Sequence, residues 1–275
     1  MIKLHAPAKL TRNLFITGIR DDGYHLLRSE MVSVDLTDEL DLTPSLKSGL
    51  EVEDDIAWIN GDKTISLDVP ADKSNLVLRA CETAGIKAEI KLKKRIPPGA
   101  GLGGGSSDAA SILRWGNCLD VKKALALGAD VPFCVKGGRA LVGGVGEQIT
   151  ELEYEPLSFL IITPRLHVST PAVYQAYDEI SKDQDSTAYY PDHFNTKNHN
   201  DLEEAALIVE PQLAFWRDYL TEIASERPSL AGSGSSWFFE LEEHRAVTLE
   251  RDISQAVLDD NLIAMVKKAN TVKYV

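Results

Sequence analysis

Five glycines crowd into Gly99-Ala100-Gly101-Leu102-Gly103-Gly104-Gly105, and Ser106-Ser107-Asp108 follow at once. An alternating apolar and charged run, Ile86 to Lys93, leads in as a strand through Lys94-Arg95-Ile96-Pro97-Pro98. A helix over 108–115, capped by Ser106 or Ser107, is predicted to lead out. Backbone without Cβ atoms can approach a ligand closely, and a helix N-terminus favours an anion, above all a phosphate. The serine hydroxyls suit a phosphate or its metal ion, and Lys94 and Arg95 would raise the local potential. Gly99-x-Gly101-x-x-Gly104 also fits the dinucleotide fingerprint, with Asp120 as its acid, but no strand leads to Asp120. A Walker A loop is excluded because no Gly-Lys-Ser/Thr follows. A plain turn would spend much conformational entropy on so many glycines.

Two charges stand in apolar settings: Lys9 in Ala6-Pro7-Ala8-Lys9-Leu10, and Asp130 in Gly128-Ala129-Asp130-Val131-Pro132-Phe133. A charge in such surroundings needs a partner. Taken alone, both residues fit a structural ion pair or a helix cap. Tyr24 and His25 follow the turn signal Asp22-Gly23, where a tyrosine is commonly a surface prop and a histidine structural. Gly232-Ser233-Gly234-Ser235-Ser236 reads locally as a β-turn, and the glycines between Gly137 and Gly146 as tight turns around a short strand.

The elements that must position these residues mix strands and helices in both halves. Strands are expected at Leu50–Glu53, Thr64–Val69, Leu157–Ile162 and Trp237–Leu241, and from Leu262 onward; Ile2–His5 is a short β-like run. Helices are expected at Asn75–Ala84, Leu202–Val209, Pro211–Ile223 and Glu243–Leu258, with mostly loop over 178–201. This pattern predicts an α+β fold of two domains, 1–155 and 156–275, with the active-site cleft between them. A net charge of −13 argues against nucleic acid or an anionic membrane as partner, though not against a small anion. Three scattered cysteines and the lack of any apolar signal or spanning run point to the cytoplasm. Oligomeric state is not legible.

The segment 98–110 resembles the phosphate loop of the galactokinase, homoserine kinase, mevalonate kinase and phosphomevalonate kinase superfamily. Its triple glycine and Ser-Ser-Asp-Ala-Ala ending are similar to one family within it, the 4-diphosphocytidyl-2-C-methyl-D-erythritol kinases. Ala6–Lys9, Arg20–His25, Leu127–Phe133 and Ala231–Ser235 carry the likeness further, in order, with weaker echoes at Asn75–Ala80 and Asn200–Glu203. The resemblance implies ATP with Mg²⁺, and phosphorylation of the 2-hydroxyl of a cytidine-diphosphate-linked sugar alcohol for isoprenoid synthesis.

It implies that Pro98, Gly99, Ala100, Gly101, Leu102, Gly103, Gly104, Gly105, Ser106, Ser107 and Asp108 hold the nucleotide phosphates. Asp130 would accept or orient the hydroxyl proton, and Lys9 would stabilise charge on the transferring group. Tyr24 and Tyr174 would sandwich the cytosine, His25 would hydrogen-bond it, and Thr170 would open Tyr174's segment. Gly232, Ser233 and Gly234 would close over the substrate diphosphate, and no metal ligand is assigned. The family usually carries Asn where Thr11 stands, so Thr11 must make different contacts or Asn13 must substitute for it. Cys134, Ala231, Trp237 and a short stretch between Asn117 and Gly128 also depart from the pattern. Rival readings are a superfamily kinase for another alcohol and a catalytically silent nucleotide-binding relative.

Overall fold

A computed structural model describes residues 1–61, 69–181 and 198–273. The chain begins as a long antiparallel ribbon, β1 (Ile2–Ile19) against β2 (His25–Pro44). β3 (Gly49–Asp54) and β4 (Trp58–Ile59) follow, then α1 (Leu76–Ala84) and β5 (Ala88–Lys94). Three helices come next, α2 (Gly104–Trp115), α3 (Val121–Leu127) and α4 (Val131–Lys136), and then β6 (Arg139–Gly144) and β7 (Gln148–Glu151). The second half holds β8 (Ser158–Pro164), α5 (Thr170–Ser181), α6 (Glu203–Val209) and α7 (Gln212–Ala224). It finishes with β9 (Ser229–Leu230), β10 (Trp237–Leu241), α8 (Glu243–Asp259) and β11 (Ala264–Asn270).

One sheet has the order β3-β5-β2-β6-β7, with β1 lying along β2; the other runs β4-β11-β8-β10-β9. Only β3 with β5 is a parallel pair among these strands. The arrangement is α+β, as the mixed pattern predicts. β4 crosses over, since Trp58 and Ile59 of the first half pair with β11 of the second sheet.

Side-chain alternation explains the layering. In β8, Phe159 and Ile161 face the core shared by the two sheets, while Leu160 and Ile162 face α5 to α8. Phe238 on β10 joins the shared core, and its neighbours Trp237 and Phe239 join the helical side. Buried on both faces, these strands read as nearly continuous apolar runs. α8 buries Ala246, Leu249, Ile253 and Val257, a stripe at helical spacing. β1 threads all three cores: Ala6 in that of the first sheet, Ala8 and Leu10 between the sheets, Leu14 and Ile16 under the second half's helices.

Two expectations need correction. The run Ile2–His5 is only the start of an 18-residue strand, because β2 pairs with it along its whole length. The helix after the glycine loop begins at Gly104, not Asp108; Gly103 is its N-cap, so neither Ser106 nor Ser107 caps it. Glycines are poor helix formers, and here eight buried residues of α2 override their preference. The expected strand Thr64–Val69 lies, but for Val69, outside the described residues, as does most of 178–201. No helix among the described residues is long and apolar enough to cross a membrane.

Candidate active site

The glycine loop and the start of α2 line a cleft of about 360 Å³, whose other walls come from β1, the residues before α4, α5 and the second glycine run. No side chain caps α2 and no acidic residue sits in its first turn. Its leading N–H groups, at Gly104, Gly105 and Ser106, lie at residues that line the cleft, which makes this end a ready anion cradle.

Two of the loop's glycines are required by their surroundings. Gly103 has φ +66°, and a Cβ there would come within 2.7 Å of Lys9 Cγ. Gly101 has φ +76°, and a Cβ would come within 2.0 Å of the Ala231 carbonyl oxygen. The first glycine loop is thus pressed against both Lys9 and the second glycine run, and Ser236 N–H donates to the Ala100 carbonyl at 3.2 Å.

Register shifts in β1 between Pro7 and Lys9 and between Thr11 and Asn13 re-aim the side chains around the cleft. Lys9 is 5% exposed, and its backbone N–H donates to Leu102 O at 2.9 Å. Its ammonium lies 3.3 Å from Asp130 Oδ2 and donates to Thr11 Oγ1 at 3.1 Å. Asp130 stands at the N-cap position of α4 yet makes no side-chain capping bond, so the cap reading falls and the ion pair remains. Its carboxylate is one-third exposed, reachable from the cleft.

Thr11 therefore makes its own contact, accepting a hydrogen bond from the Lys9 ammonium. Asn13 does not take over: its Oδ1 accepts from Glu30 N–H at 2.8 Å, and it is 3% exposed. Thr11→Val is expected to lower kcat about tenfold and to cost about 1–3 kcal/mol of stability, and Thr11→Ser to restore both, as steady-state kinetics and denaturation would show. An unchanged kcat in Thr11→Val would mean that Asp130 suffices to hold Lys9.

The second glycine run is anchored by the segment 198–202. Asn200 Nδ2 donates to Leu230 O at 3.0 Å and Gly232 O at 2.8 Å, while Asp201 Oδ2 accepts from Ile16 N–H at 2.7 Å. Ser233 Oγ lies 2.8 Å from Thr170 Oγ1, which ties the run to the first turn of α5. Tyr174, one turn along, lines the same cleft, and burial with the nearby Asp130 charge pushes its phenol up to about 12.

The residues expected around a base are brought together in part. His25 lies beside Tyr174, with ring centroids 4.8 Å apart. Tyr24 instead sits at the ribbon tip, 63% exposed, with the Arg20 guanidinium 5.4 Å from its ring centroid.

Beneath the loop, Lys94 and Arg95 behave differently from the expectation. Lys94 is buried between Asp38, a very close contact, and Asp108 Oδ2 at 2.8 Å. Arg95 is engaged by Glu39 and Asp55, each at 2.8 Å. Neither is a spare cation for a ligand. Asp108 and Ser107 are buried and absent from the cleft lining, leaving Ser106 as the hydroxyl that faces it. Burial pushes the Asp108 carboxyl up to about 7, with Lys94 opposing the rise and Asp38 adding to it. Asp120 caps α3 by accepting from Lys122 and Lys123 N–H, which removes the dinucleotide reading.

Sequence reasoning missed Asp38; the signal that could have found it is phase, since Val34, Leu36, Asp38, Leu40 and Leu42 all point inward along β2. An aspartate at an inward position must be paired. The apolar wall from Leu14, Leu27 and Met31 has no such local mark.

Known proteins share sequence and fold with this chain. Residues 75–138 match the family described as GHMP kinases N terminal domain. The chain is 35% identical over 251 residues to the 4-diphosphocytidyl-2-C-methyl-D-erythritol kinase of Polynucleobacter necessarius subsp. necessarius, covering 86% of this chain and 82% of the relative. It is 32% identical over 280 residues to the enzyme of the same name from Ruegeria pomeroyi, covering 94% of each. A crystal structure of 4-(cytidine 5'-diphospho)-2C-methyl-D-erythritol kinase superposes with a TM-score of 0.73 at 30% identity, over 98% of this chain and 100% of that one.

Proposed function

Because this chain belongs to the 4-diphosphocytidyl-2-C-methyl-D-erythritol kinase family, we propose that it transfers the γ-phosphoryl group of ATP to the 2-hydroxyl of 4-diphosphocytidyl-2-C-methyl-D-erythritol, a cytoplasmic step towards isoprenoids. The observation that carries this reading is the Lys9–Asp130 pair, 3.3 Å apart, in the same cleft as the uncapped start of α2. Phosphoryl transfer asks mostly for positioning and electrostatic stabilisation, which these parts can supply.

In this reading the loop backbone of 98–106 and the N–H groups of α2 hold the nucleotide phosphates. Asp130 orients the acceptor hydroxyl and takes its proton as the new P–O bond forms. Lys9, fixed by Thr11 and Asp130, faces the charge that develops on the transferring group. The second glycine run and Thr170 cover the acceptor, and residues 1–155 and 156–275 act as ATP-binding and substrate-binding domains.

Mg²⁺ is the ion such a transfer would use with ATP. This ion is usually carried largely by substrate phosphates, with few protein ligands. Ser106, which lines the cleft, would offer it a hydroxyl oxygen, and bound Mg²⁺ would neutralise charge on the β- and γ-phosphates.

A coupled ADP-release assay with Mg²⁺–ATP tests the reading, offering the cytidyl substrate beside mevalonate, homoserine and galactose. Turnover confined to the cytidyl substrate is expected. Turnover on another alcohol, or on none, overturns the substrate assignment.

A further inference from the structure

His25 opens β2, and its side chain is 9% exposed. One face of α5 encloses it through Tyr174, Tyr177 and Asp178, which stand at i, i+3 and i+4. The Tyr174 ring lies 4.8 Å away, tilted by 36°, and the Tyr177 ring meets it edge-on at 6.0 Å. Asp178 Oδ1 is 2.6 Å from His25 Nε2. An ionised carboxylate has no hydrogen to give, so Nε2 must be the donor in this bond. In a neutral imidazole the other nitrogen, Nδ1, is then an acceptor. With two rings packed on it, the imidazole has little freedom to turn over and exchange its nitrogens.

We propose that Asp178 is a positioning residue that fixes His25 as the Nε2–H tautomer, so that Nδ1 offers a lone pair to the exocyclic amino group of the substrate's cytosine. The proposal rests on the proposed function and on the expectation, carried by the family resemblance, that His25 meets the base. It adds a source of selectivity. Cytosine carries an amino donor where uracil carries a carbonyl oxygen, and two acceptors facing each other repel. A carboxylate on the far nitrogen would therefore favour cytidine over uridine without touching either base. Orientation of a histidine by a carboxylate on its second nitrogen is a common physical device.

The test pairs nitrogen-15 NMR of the His25 imidazole with kinetics on the cytidyl substrate and its uridyl analogue, in the full chain and in Asp178→Ala and Asp178→Asn. The wild type should show the Nε2–H tautomer, and Asp178→Ala a mixture of the two. KM for the cytidyl substrate should rise about tenfold in Asp178→Ala, while KM for ATP stays within about twofold. The preference for cytidyl over uridyl, taken as the ratio of kcat/KM values, should fall at least about tenfold. Asp178→Asn can still accept from Nε2–H and should fall between the two. A wild-type Nδ1–H tautomer overturns the proposal. So does a preference for cytidine that survives in Asp178→Ala; loss of melting temperature alone would mark Asp178 as a structural clasp. If the wild type ignores the cytidyl substrate, the functional reading fails separately, and the NMR spectrum still decides whether Asp178 sets the tautomer.

Discussion

Asp130→Asn should abolish turnover, lowering kcat by at least about a thousandfold, while ATP binds within about twofold of the wild type. Asparagine keeps the volume of the side chain and an oxygen that Lys9 can reach. It loses the negative charge and the ability to take a proton from the acceptor hydroxyl. General acid–base assistance is worth roughly 10² to 10⁴ in rate, and misplacing Lys9 adds to the loss. Stability should fall as well, because Lys9 is buried and would keep only Thr11 and a neutral amide as partners. Rapid-quench measurement of a single turnover, with titration of ATP by calorimetry, separates the two effects. A kcat within about tenfold of the wild type would remove Asp130 from the chemistry. A loss of ATP affinity equal to the loss of rate would make it a binding residue instead.

That Lys9 and Asp130 belong together could not be read from either segment alone. Each stands out locally as a charge among apolar residues, but their meeting depends on a register shift in β1 and on where α4 begins. The glycine loop was legible because its signal is dense and local. What the loop rests on was not. Lys94 looks like a cation at the loop's entrance, yet Asp38 from β2 and Asp108 from α2 close around it. Those partners are distant in sequence, and only the inward phase of Asp38 hints at one of them. The serines looked like caps for the same reason that the glycines looked like loop: local propensity argues against a helix starting at Gly104. Burial of Ala109, Ala110, Ile112 and Leu113 outweighs it. At the ribbon tip, the resemblance implied that Tyr24 and Tyr174 sandwich a cytosine. The ribbon ends its pairing at His25, so His25 turns towards α5 and Tyr24 is left at the tip.

Gly101→Ala should be the most damaging single methyl in the loop, costing both stability and ATP affinity. Two effects combine. At φ +76° an L side chain is strained, at about 1 kcal/mol or somewhat more for a non-glycine residue. The added Cβ would also lie 2.0 Å from the Ala231 carbonyl oxygen and 3.0 Å from that of Gly234. Both are backbone atoms and cannot swing aside as a side chain tip can. The two glycine runs must separate, breaking the Ser236 to Ala100 hydrogen bond and moving the cleft walls that each provides. A total loss of about 3 kcal/mol or more is expected, with KM for ATP rising at least about tenfold. Gly99→Ala is the matched control. Its φ is +65°, but the nearest atom to an added Cβ is His167 Nδ1 at 3.9 Å, an ordinary contact. It bears the conformational penalty alone and should cost about 1 kcal/mol. Chemical denaturation of the two variants, with ATP kinetics on each, measures the difference directly. Equal losses would show that backbone conformation alone governs the loop. A much larger loss at Gly101 would show that the cleft depends on the two glycine runs touching, since strain alone acts at both positions.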